Sequence, residues 1–368
     1  MKSLHSFSLV PDTAAAVREI AGRITAPDVR LVVYFASPRH NPQALAAAMT
    51  AAFPTVPVLG CTTAGELVSG RMLEHSLVAM ALGSELVTRA HLATVRHVAA
   101  DTSAEVARAF ATLSDAFGAP VADLDPARFA GLVLADGLSG AEERLMDAIG
   151  NRTNIPFVGG SAGDDVKFER THVMAGPEAL SNAAVVAIIE TTAPFDIVKT
   201  QSFRILPTTL VATKVNEPRR QVLEFNGRPA VDAYAEAVGV PPAELASRFM
   251  SNPVGLIVDG EPFVRSPQRV ENQSVYFYCS ILEGTELAVL QSTDIVADTG
   301  TTLAKLKTPD AVIDFDCILR TLELRQKGQN EAYGDLFAGI PTIGFSTYGE
   351  EYIGHLNQTA TMLVLRAK

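Results

Sequence analysis

A serine in the middle of the chain lies in the pattern that serine hydrolases use for their nucleophile. Residues 159–163 read GGSAG, so Ser161 has a glycine two residues away on either side. In those enzymes a helix follows the serine directly and holds its hydroxyl at a strand end. Here the next residues are DDVKF, a polar and then strand-like run without a helical pattern. We therefore expect Ser161 to be an ordinary turn hydroxyl and the protein not to be an enzyme.

The histidines and cysteines lack the spacing of metal ligands. The chain has 7 histidines and 3 cysteines, but no His-x-x-x-His or Cys-x-x-Cys pair. Zinc sites need such spacing because their ligands must converge on one ion. The haem-attachment string Cys-x-x-Cys-His is also missing, so any haem would be held non-covalently by an axial side chain. The spacing of these residues therefore predicts no metal site.

An arginine near the C-terminus follows an apolar run and is a candidate ligand clamp. Arg320 comes three residues after Cys317, so the two share a face if this segment is helical. A guanidinium can bind a carboxylate through two hydrogen bonds, which would suit an acidic group of a ligand. The alternative is a salt bridge within the protein to Glu350 or Glu66. Cys61 and Cys317 are expected to be small buried side chains.

Three strings in the sequence read alike and indicate an internal repeat. Each has a proline three residues before a glycine, then a hydroxyl residue, a second glycine and a carboxylate. The strings are PVLGCTTAGE at 57–66, PFVGGSAGD at 156–164 and PTIGFSTYGE at 341–350. An apolar run and a helical pattern precede each string, and another apolar run follows it. The predicted unit is strand, helix, strand and further strand, with Gly60, Gly159 and Gly344 at equivalent positions.

The repeat predicts an α/β protein. Strands this apolar are usually buried on both faces, so we expect mixed sheets covered by helices. We predict two domains built from repeated β-α-β-β units. The first, 1–215, holds the turns at Gly60 and Gly159, and the second, 220–368, holds the turn at Gly344. These glycines are expected to end their strands, where glycine can take positive φ. The three turns are either structural β-turns and nothing more, or some of them line a shared pocket at the strand ends.

Composition and charge exclude several classes of function. The 368 residues are 48% hydrophobic and only 19% charged, which indicates a large buried core. Lysine and arginine number 30 against 41 aspartates and glutamates, a net charge of −11 without a basic cluster. Nucleic acids and anionic membrane surfaces both attract proteins through such clusters. No apolar run reaches the roughly 18 residues of a membrane span, and the N-terminus lacks the features of a signal peptide. We expect a cytoplasmic protein with no nucleic-acid or membrane partner.

Four motifs resemble one family of sensory domains. The string VLGCTTAGE at 58–66 is similar to the signature of the FIST N-terminal domain. The strings LEFNGRPA at 223–230, CILR at 317–320 and GFSTYGE at 344–350 resemble the FIST C-terminal domain. The resemblance covers nearly the whole chain and implies a sensor of a small ligand. The sequence has no kinase or cyclase segment, so the output would lie on a partner, a histidine kinase or a cyclic-dinucleotide enzyme.

One group within this family implies a specific ligand. Standalone FIST proteins include the NosP-type haemoproteins that sense nitric oxide. Residues 354–359, GHLNQT, resemble the histidine-bearing ending of that group. The resemblance implies a nitric oxide sensor that binds haem b, with His355 as the axial ligand. His40, expected at a strand end that faces a helix start, is the alternative ligand.

The second hypothesis is a receptor without haem. In this hypothesis the ligand is a small polar metabolite such as an amino acid, and Arg320 holds its carboxylate. The residues expected to bind ligand are Arg320, Thr347, Glu350 and Asn357. Asn357 also bears on the haem hypothesis, because it would share a face with His355 if the segment is extended and could orient that ring by a hydrogen bond.

Overall fold

The computed structural model describes residues 1–368 and shows a mixed α/β chain, as the sequence predicts. The α-helices are α1 (Thr13–Ile24), α2 (Pro42–Ala52), α3 (Thr102–Phe117), α4 (Glu142–Gly150), α5 (Ala230–Val238), α6 (Ile295–Leu303), α7 (Ile318–Lys327) and α8 (Asn330–Asp335). Short 3-10 helices lie at Val121–Asp123, Glu217–Arg219 and Pro242–Arg248. Every helix falls short of the length and hydropathy that a membrane span requires.

The strands alternate with these helices along the chain. The first twelve are β1 (Ser3–Ser8), β2 (Val29–Ala36), β3 (Val58–Thr62), β4 (Glu66–Val68), β5 (Arg71–Leu73), β6 (Leu77–Gly83), β7 (Val87–Arg96), β8 (Phe129–Ala135), β9 (Phe157–Ser161), β10 (Val173–Ala175), β11 (Glu178–Leu180) and β12 (Ala183–Thr191). The others are β13 (Asp196–Gln201), β14 (Phe203–Asn216), β15 (Gln221–Phe225), β16 (Arg228–Pro229), β17 (Val254–Val258), β18 (Glu261–Arg265), β19 (Pro267–Glu271), β20 (Ser274–Phe277), β21 (Glu286–Ser292), β22 (Ala311–Cys317), β23 (Thr342–Thr347), β24 (Glu350–Tyr352), β25 (Gly354–Leu356) and β26 (Thr359–Leu365).

Helix boundaries follow local capping chemistry. Asp12 accepts a hydrogen bond from the backbone N–H of Ala15, 2.8 Å away, at the start of α1. Asn41 caps α2 in the same way, and Pro42 occupies the first position of that helix. Such side chains satisfy backbone donors that the first helical turn leaves free. Helix α7 ends at Gly328, whose φ of 67° is the left-handed conformation that glycine adopts readily.

Two compact units make up the chain. The first contains residues 1–199, 300–355 and 360–368, and the second contains residues 200–299 and 356–359. The first unit therefore includes the strands of all three predicted repeats. The predicted domains, 1–215 and 220–368, divide the chain along its length, whereas each compact unit is discontinuous in sequence.

The three repeats have the same strand pairing in the first unit. In each, a central strand pairs in parallel with the glycine-bearing strand and antiparallel with the last strand. The three sets are β2, β3 and β6; β8, β9 and β12; and β22, β23 and β26. The register also agrees, with each glycine opposite one residue of the central strand: Gly60 and Tyr34, Gly159 and Val133, Gly344 and Asp314. The predicted equivalence of the three glycines is confirmed.

The repeats exchange hairpins in a closed cycle. After its glycine strand each repeat forms a short hairpin, which pairs with the glycine strand of another repeat. Hairpin β4–β5 pairs with β23, β10–β11 with β3, and β24–β25 with β9. Three six-stranded sheets result, in the orders β1-β6-β2-β3-β10-β11, β25-β24-β9-β8-β12-β7 and β13-β26-β22-β23-β4-β5. Each repeat therefore needs a second repeat to complete its sheet.

The three glycines allow close strand approach and do not end their strands. Each lies inside its strand and has no positive φ. A Cβ atom at Gly159 would overlap the carbonyl oxygen of Val133, and the other two positions are similarly crowded by the central strand. Only glycine leaves room for this approach. The expectation of a strand end with positive φ was wrong for these glycines, although Gly65, the second glycine of the first string, has a φ of 138°.

One apolar core lies between the three sheets. Its buried side chains come from the central, glycine-bearing and last strands of all three repeats. Phe35 packs against Phe345 with ring centroids 4.5 Å apart, and Phe315 packs edge-on against both. Helices α1 and α2 cover the other face of the first sheet, and α3 and α4 cover that of the second. Burial of this kind is the main stabilising contribution to an α/β fold.

The second unit is built on one largely antiparallel sheet. Its strand order is β18-β17-β21-β14-β15-β20-β19, with β16 beside β15. Helix α5 packs on this sheet through Tyr234, whose ring lies 6.1 Å from that of Phe225. Asn226 and Gly227, with φ of 53° and 70°, form the turn between β15 and β16. An Asn-Gly pair suits this turn because both residues tolerate the left-handed conformation.

We predict that Gly159→Ala strongly destabilises the protein. The added Cβ overlaps a backbone oxygen of β8, so β8 and β9 must separate, at a cost of more than about 3 kcal/mol. Gly22→Ala is the matched control, because Gly22 lies in α1 with no atom within 4 Å of the added Cβ. That control should gain about 0.5–1 kcal/mol from helix propensity. Urea unfolding monitored by circular dichroism measures both, and equal effects of the two changes would contradict this account.

Candidate functional site

The three repeat turns meet where the parallel strand pairs end. Ser346 donates its backbone N–H to the carbonyl oxygen of Gly65 at 2.8 Å, which joins the third turn to the first. Gly163 donates to Thr62 at 2.9 Å, and Tyr348 donates to Ser161 at 3.1 Å, which closes the cycle. In α/β proteins ligands commonly bind at the carboxyl ends of strands. Polar side chains at this convergence are therefore candidates for contact with a ligand.

A buried ionic cluster fills the third repeat at this position. Arg320, in the first turn of α7, donates from Nε to Oδ1 of Asp316, 2.6 Å away, at the end of β22. Tyr333 of α8 donates its hydroxyl to the same oxygen at 3.2 Å. The side chains of Arg320 and Asp316 are only 2% and 3% exposed. Arg320 thus has a salt bridge within the protein, but to Asp316, which sequence analysis did not name; the alternative prediction had named Glu350 or Glu66.

Asp314 is the most unusual member of this cluster. It is fully buried on β22, and neither of its carboxylate oxygens has a hydrogen-bond partner. Burial, together with the negative charges of Asp316 and Glu350, raises the pKa of Asp314 well above its ordinary value, although the positive charge of Arg320 acts in the opposite direction. The equivalent residues of the other repeats are Tyr34 and Val133. A buried acid without a partner costs free energy unless it is protonated or binds something, which makes Asp314 a candidate ligand contact.

The other predicted ligand residues have different surroundings. The hydroxyl of Thr347 donates to the carbonyl oxygens of Ser161, at 2.8 Å, and Gly349, at 2.7 Å, so it shapes the turn. Glu350 is fully buried and acts electrostatically on Asp314. Asn357 belongs to the second unit, is 1% exposed, and has no hydrogen-bond partner for either amide atom. The structure thus brings Arg320 and Glu350 into one cluster.

His355 belongs to a second buried network in the first unit. Its Nδ1 lies 3.2 Å from Oε1 of Glu351, and Ser161 donates its hydroxyl to the same oxygen at 3.0 Å. Burial acts to lower the pKa of His355, but Glu351, with help from Glu142 and Glu143, raises it to about 9. The ring is therefore protonated at neutral pH and paired with a carboxylate. The hydroxyl of Ser161 donates to that carboxylate and has no histidine base.

His40, the alternative haem ligand, is also buried. Its Nδ1 lies 3.2 Å from the hydroxyl of Thr13, and its Nε2 is buried without a hydrogen-bond partner. Burial lowers the pKa of His40, so its ring is neutral at physiological pH. A neutral imidazole with one free nitrogen is chemically able to bind a metal.

Sequence reasoning missed the acids that surround Arg320 and His355. Asp314 and Asp316 interrupt the apolar run of β22 at alternate positions, so both point to the same face of the sheet. Two acidic residues at alternate positions of an otherwise apolar strand indicate a buried polar cluster, so this signal was present in the sequence. Glu351 gave no such signal, because its contact with His355 depends on the hairpin β24–β25.

We predict that the stability of the protein falls as the pH rises from about 6.5 to 9. The pKa of His355 is about 9 in the folded chain, whereas an exposed histidine of the unfolded chain titrates near 6.5. The folded state therefore holds a proton across this window. The corresponding stability, on the order of 3 kcal/mol, is fully present below the window and lost above it. Glu351→Gln removes the carboxylate partner and should flatten this dependence. Urea unfolding between pH 6 and 10 tests it, and equal slopes for both proteins would contradict the assignment.

Comparison with known proteins agrees with the sequence resemblance. The chain matches the FIST N domain over residues 30–228 and the FIST C domain over residues 230–352. It is also 26% identical, over 230 residues, to an uncharacterized protein of Methanocaldococcus jannaschii, a match that covers 58% of this chain and 42% of that protein. The chain thus spans less than half the length of this curated relative. The two domain matches show that the chain belongs to the FIST family, whose domains sense small ligands in signal transduction.

Proposed function

We propose that this FIST protein is a cytoplasmic receptor for a small polar metabolite with an amino group, such as an amino acid. The observation that supports it is Asp314, a buried carboxyl group without a hydrogen-bond partner beside the Asp316–Arg320 ion pair. A ligand ammonium group at Asp314 would donate hydrogen bonds to this carboxyl and would add a second positive charge to that of Arg320, which already acts on it. The role predicted for Arg320, a clamp for the ligand carboxylate, fits the same cluster.

Ligand entry requires movement of the protein, which suits a sensor. Arg320 and Tyr333 lie on α7 and α8, and both side chains are buried. Because both side chains contact Asp316, two residues from Asp314, we propose that a ligand reaches Asp314 by displacing at least one of these helices. A binding event that changes the position of a helix alters the protein surface, because the ligand favours the displaced state by its differential affinity. We propose that a histidine kinase or a cyclic-dinucleotide enzyme reads this change.

We predict that Asp314→Asn abolishes ligand binding while the protein stays folded. A screen of the 20 amino acids and simple amines by thermal shift should find a stabilising ligand, and calorimetry gives its affinity. The substitution removes the charge that binds the ammonium group, so Kd should rise at least about 100-fold. Its stability should be equal to or above that of the parent, because a desolvated carboxyl is removed. The ligand should also change autophosphorylation or cyclic-dinucleotide turnover of a co-purified partner.

The matched control for this experiment is a surface acid, Glu178, which pairs with Arg96 in an exposed ion pair. Glu178→Gln should leave both the Kd and the stability unchanged. Unchanged ligand affinity in Asp314→Asn would show that Asp314 is not the contact. A screen in which no amine stabilises the protein would count against the whole proposal.

Haem is the second candidate ligand, and the buried free nitrogen of His40 favours it. Both nitrogens of a protonated His355 carry protons, and the ring packs against Gly349, so this residue fits an axial role less well than His40. His40 has a neutral ring and Nε2 without a partner. Haem held there would supply an iron that binds nitric oxide, and the chain would hold it through the imidazole.

We predict that haem, if it binds, depends on His40. Titration of the purified protein with haem should give a Soret band, and His40→Ala should remove or shift it. His355→Ala tests the ligand that the family resemblance implies. If the Soret band shifts only in His355→Ala, His355 and not His40 is the axial ligand. The absence of a Soret band in the parent protein would leave the amine receptor as the proposed function.

A further inference from the structure

The second repeat contains a segment that the other two repeats lack. In the first and third repeats the second glycine leads directly into the hairpin, from Gly65 to β4 and from Gly349 to β24. In the second repeat residues 164–172 separate Gly163 from β10. The common fold of the three repeats is complete without this insertion. We call residues 164–172 the latch segment.

The latch segment is held in a strained conformation. Asp165, Val166 and Phe168 have φ of 55°, 62° and 56°. Side chains with a Cβ rarely adopt this left-handed region, and a β-branched valine is an outlier there. Such strain persists only where other interactions hold it, and it is common in segments that switch. Val166 and Phe168 are also 37% and 48% exposed, so burial does not compensate for the strain.

Asp164 is the residue that holds the segment. Its carboxylate accepts the backbone N–H groups of Phe168, Glu169 and Arg170 at 2.8, 2.7 and 2.9 Å. It also accepts the hydroxyl of Tyr348, whose ring stacks on that of Phe168 with centroids 4.7 Å apart. Burial acts to raise the pKa of Asp164, but these hydrogen bonds outweigh it and keep the pKa below its ordinary value. One ionised side chain therefore fixes both ends of the strained turn.

The latch segment covers polar side chains at the strand ends of the first repeat. The carboxylate of Asp165 accepts a hydrogen bond from Ser37 at 3.2 Å and lies 3.5 Å from Nδ1 of His75. Its backbone N–H donates to the carbonyl oxygen of Thr63 at 3.0 Å. Ser37, at the end of β2, is fully buried. Glu66 is also buried nearby, where its charge environment includes Asp165, and burial raises its pKa to about 7.

We infer that the latch segment alternates between two conformations. The hydrogen bonds to the carboxylate of Asp164 stabilise one of them, the closed conformation. In the closed conformation it seals Ser37 and Glu66 beneath Asp165. In the open conformation the left-handed residues relax and the strand ends of the first repeat become accessible to a small solute. The inference rests on the hydrogen bonds of Asp164 and the strain of the turn, and it does not depend on Asp314 or on haem.

A single tryptophan can report on the position of the segment, because the chain has none. Phe168→Trp places it against Tyr348, where acrylamide should quench it poorly. Addition of Asp164→Asn removes the ionised acceptor and should raise the quenching constant at least about threefold, together with faster amide exchange of residues 166–172. Tyr348→Phe removes the hydroxyl that donates to the Asp164 carboxylate and accepts the Asp164 backbone N–H, but it leaves the bonds from Asp164 to residues 168–170. It serves as a milder second variant if Asp164→Asn does not fold.

Thiol labelling tests whether the segment gates the strand ends. Ser37→Cys places a thiol beneath Asp165, and the three native cysteines are all buried, so mass spectrometry can follow each thiol separately. Asp164→Asn or Tyr348→Phe should speed labelling of the introduced thiol at least about tenfold while Cys61 stays protected. Asp125→Asn, at a surface turn, is the control and should change neither rate.

Each outcome decides the inference. Faster labelling of the introduced thiol alone supports the latch. Equal labelling rates with and without Asp164→Asn overturn it, even if the tryptophan becomes more accessible, because the segment would then loosen without uncovering Ser37. Equal acceleration at Cys61 also overturns it, since that result indicates general unfolding of the first unit.

Discussion

The first unit depends on how closely a parallel strand can approach its neighbour at three glycines. At each position a carbonyl oxygen of the central strand occupies the space that a Cβ would need. Because each glycine lies against one residue of its central strand, the two strands are held in the same register in all three repeats. With this common register, the ends of the three strand pairs lie together. The hydrogen bonds between the turns, and the polar clusters beside them, follow from this common register. The close contact of the backbone at the three glycines thus determines the position of the turns and of the buried polar clusters beside them.

Repetition of the fold makes the differences between repeats informative. The helix-facing positions of β2 hold Tyr34 and Ala36, but the same positions of β22 hold Asp314 and Asp316. Tyr34 and Ala36 place no charge at these positions of the first repeat, whereas the carboxylates of the third repeat must be desolvated at a cost. The carboxylates therefore cost the third repeat free energy that the first does not lose at these positions, and under the proposed function this cost is offset by ligand binding. The insertion of the second repeat is a separate specialisation, because it changes a turn and leaves the strands as they are.

The sequence predicted the architecture better than the contacts. The repeated strings identified the three glycines, and apolar runs identified the strands, because both signals are local in sequence. The glycine geometry was misjudged, since only the neighbouring strand shows that Gly159 needs space rather than positive φ. The contact between Arg320 and Asp316 was also missed, although the two are only four residues apart. The prediction instead paired Arg320 with Glu350 or Glu66, which lie in the repeated strings. The hairpin exchange could not be predicted, because three-residue strands carry too little information to identify a distant partner.

That exchange also determines when the chain can fold. Ser69, beside hairpin β4–β5, bonds to Ile340, which lies 271 residues further along the chain. During synthesis the first repeat is complete in sequence long before β23 leaves the ribosome. Until then the third sheet is absent, and β4 has no strand to pair with on its open edge. Contacts this distant in sequence slow folding, and unpaired edges favour aggregation. We therefore expect the newly made N-terminal half to be a client of chaperones, released only when translation of the third repeat ends.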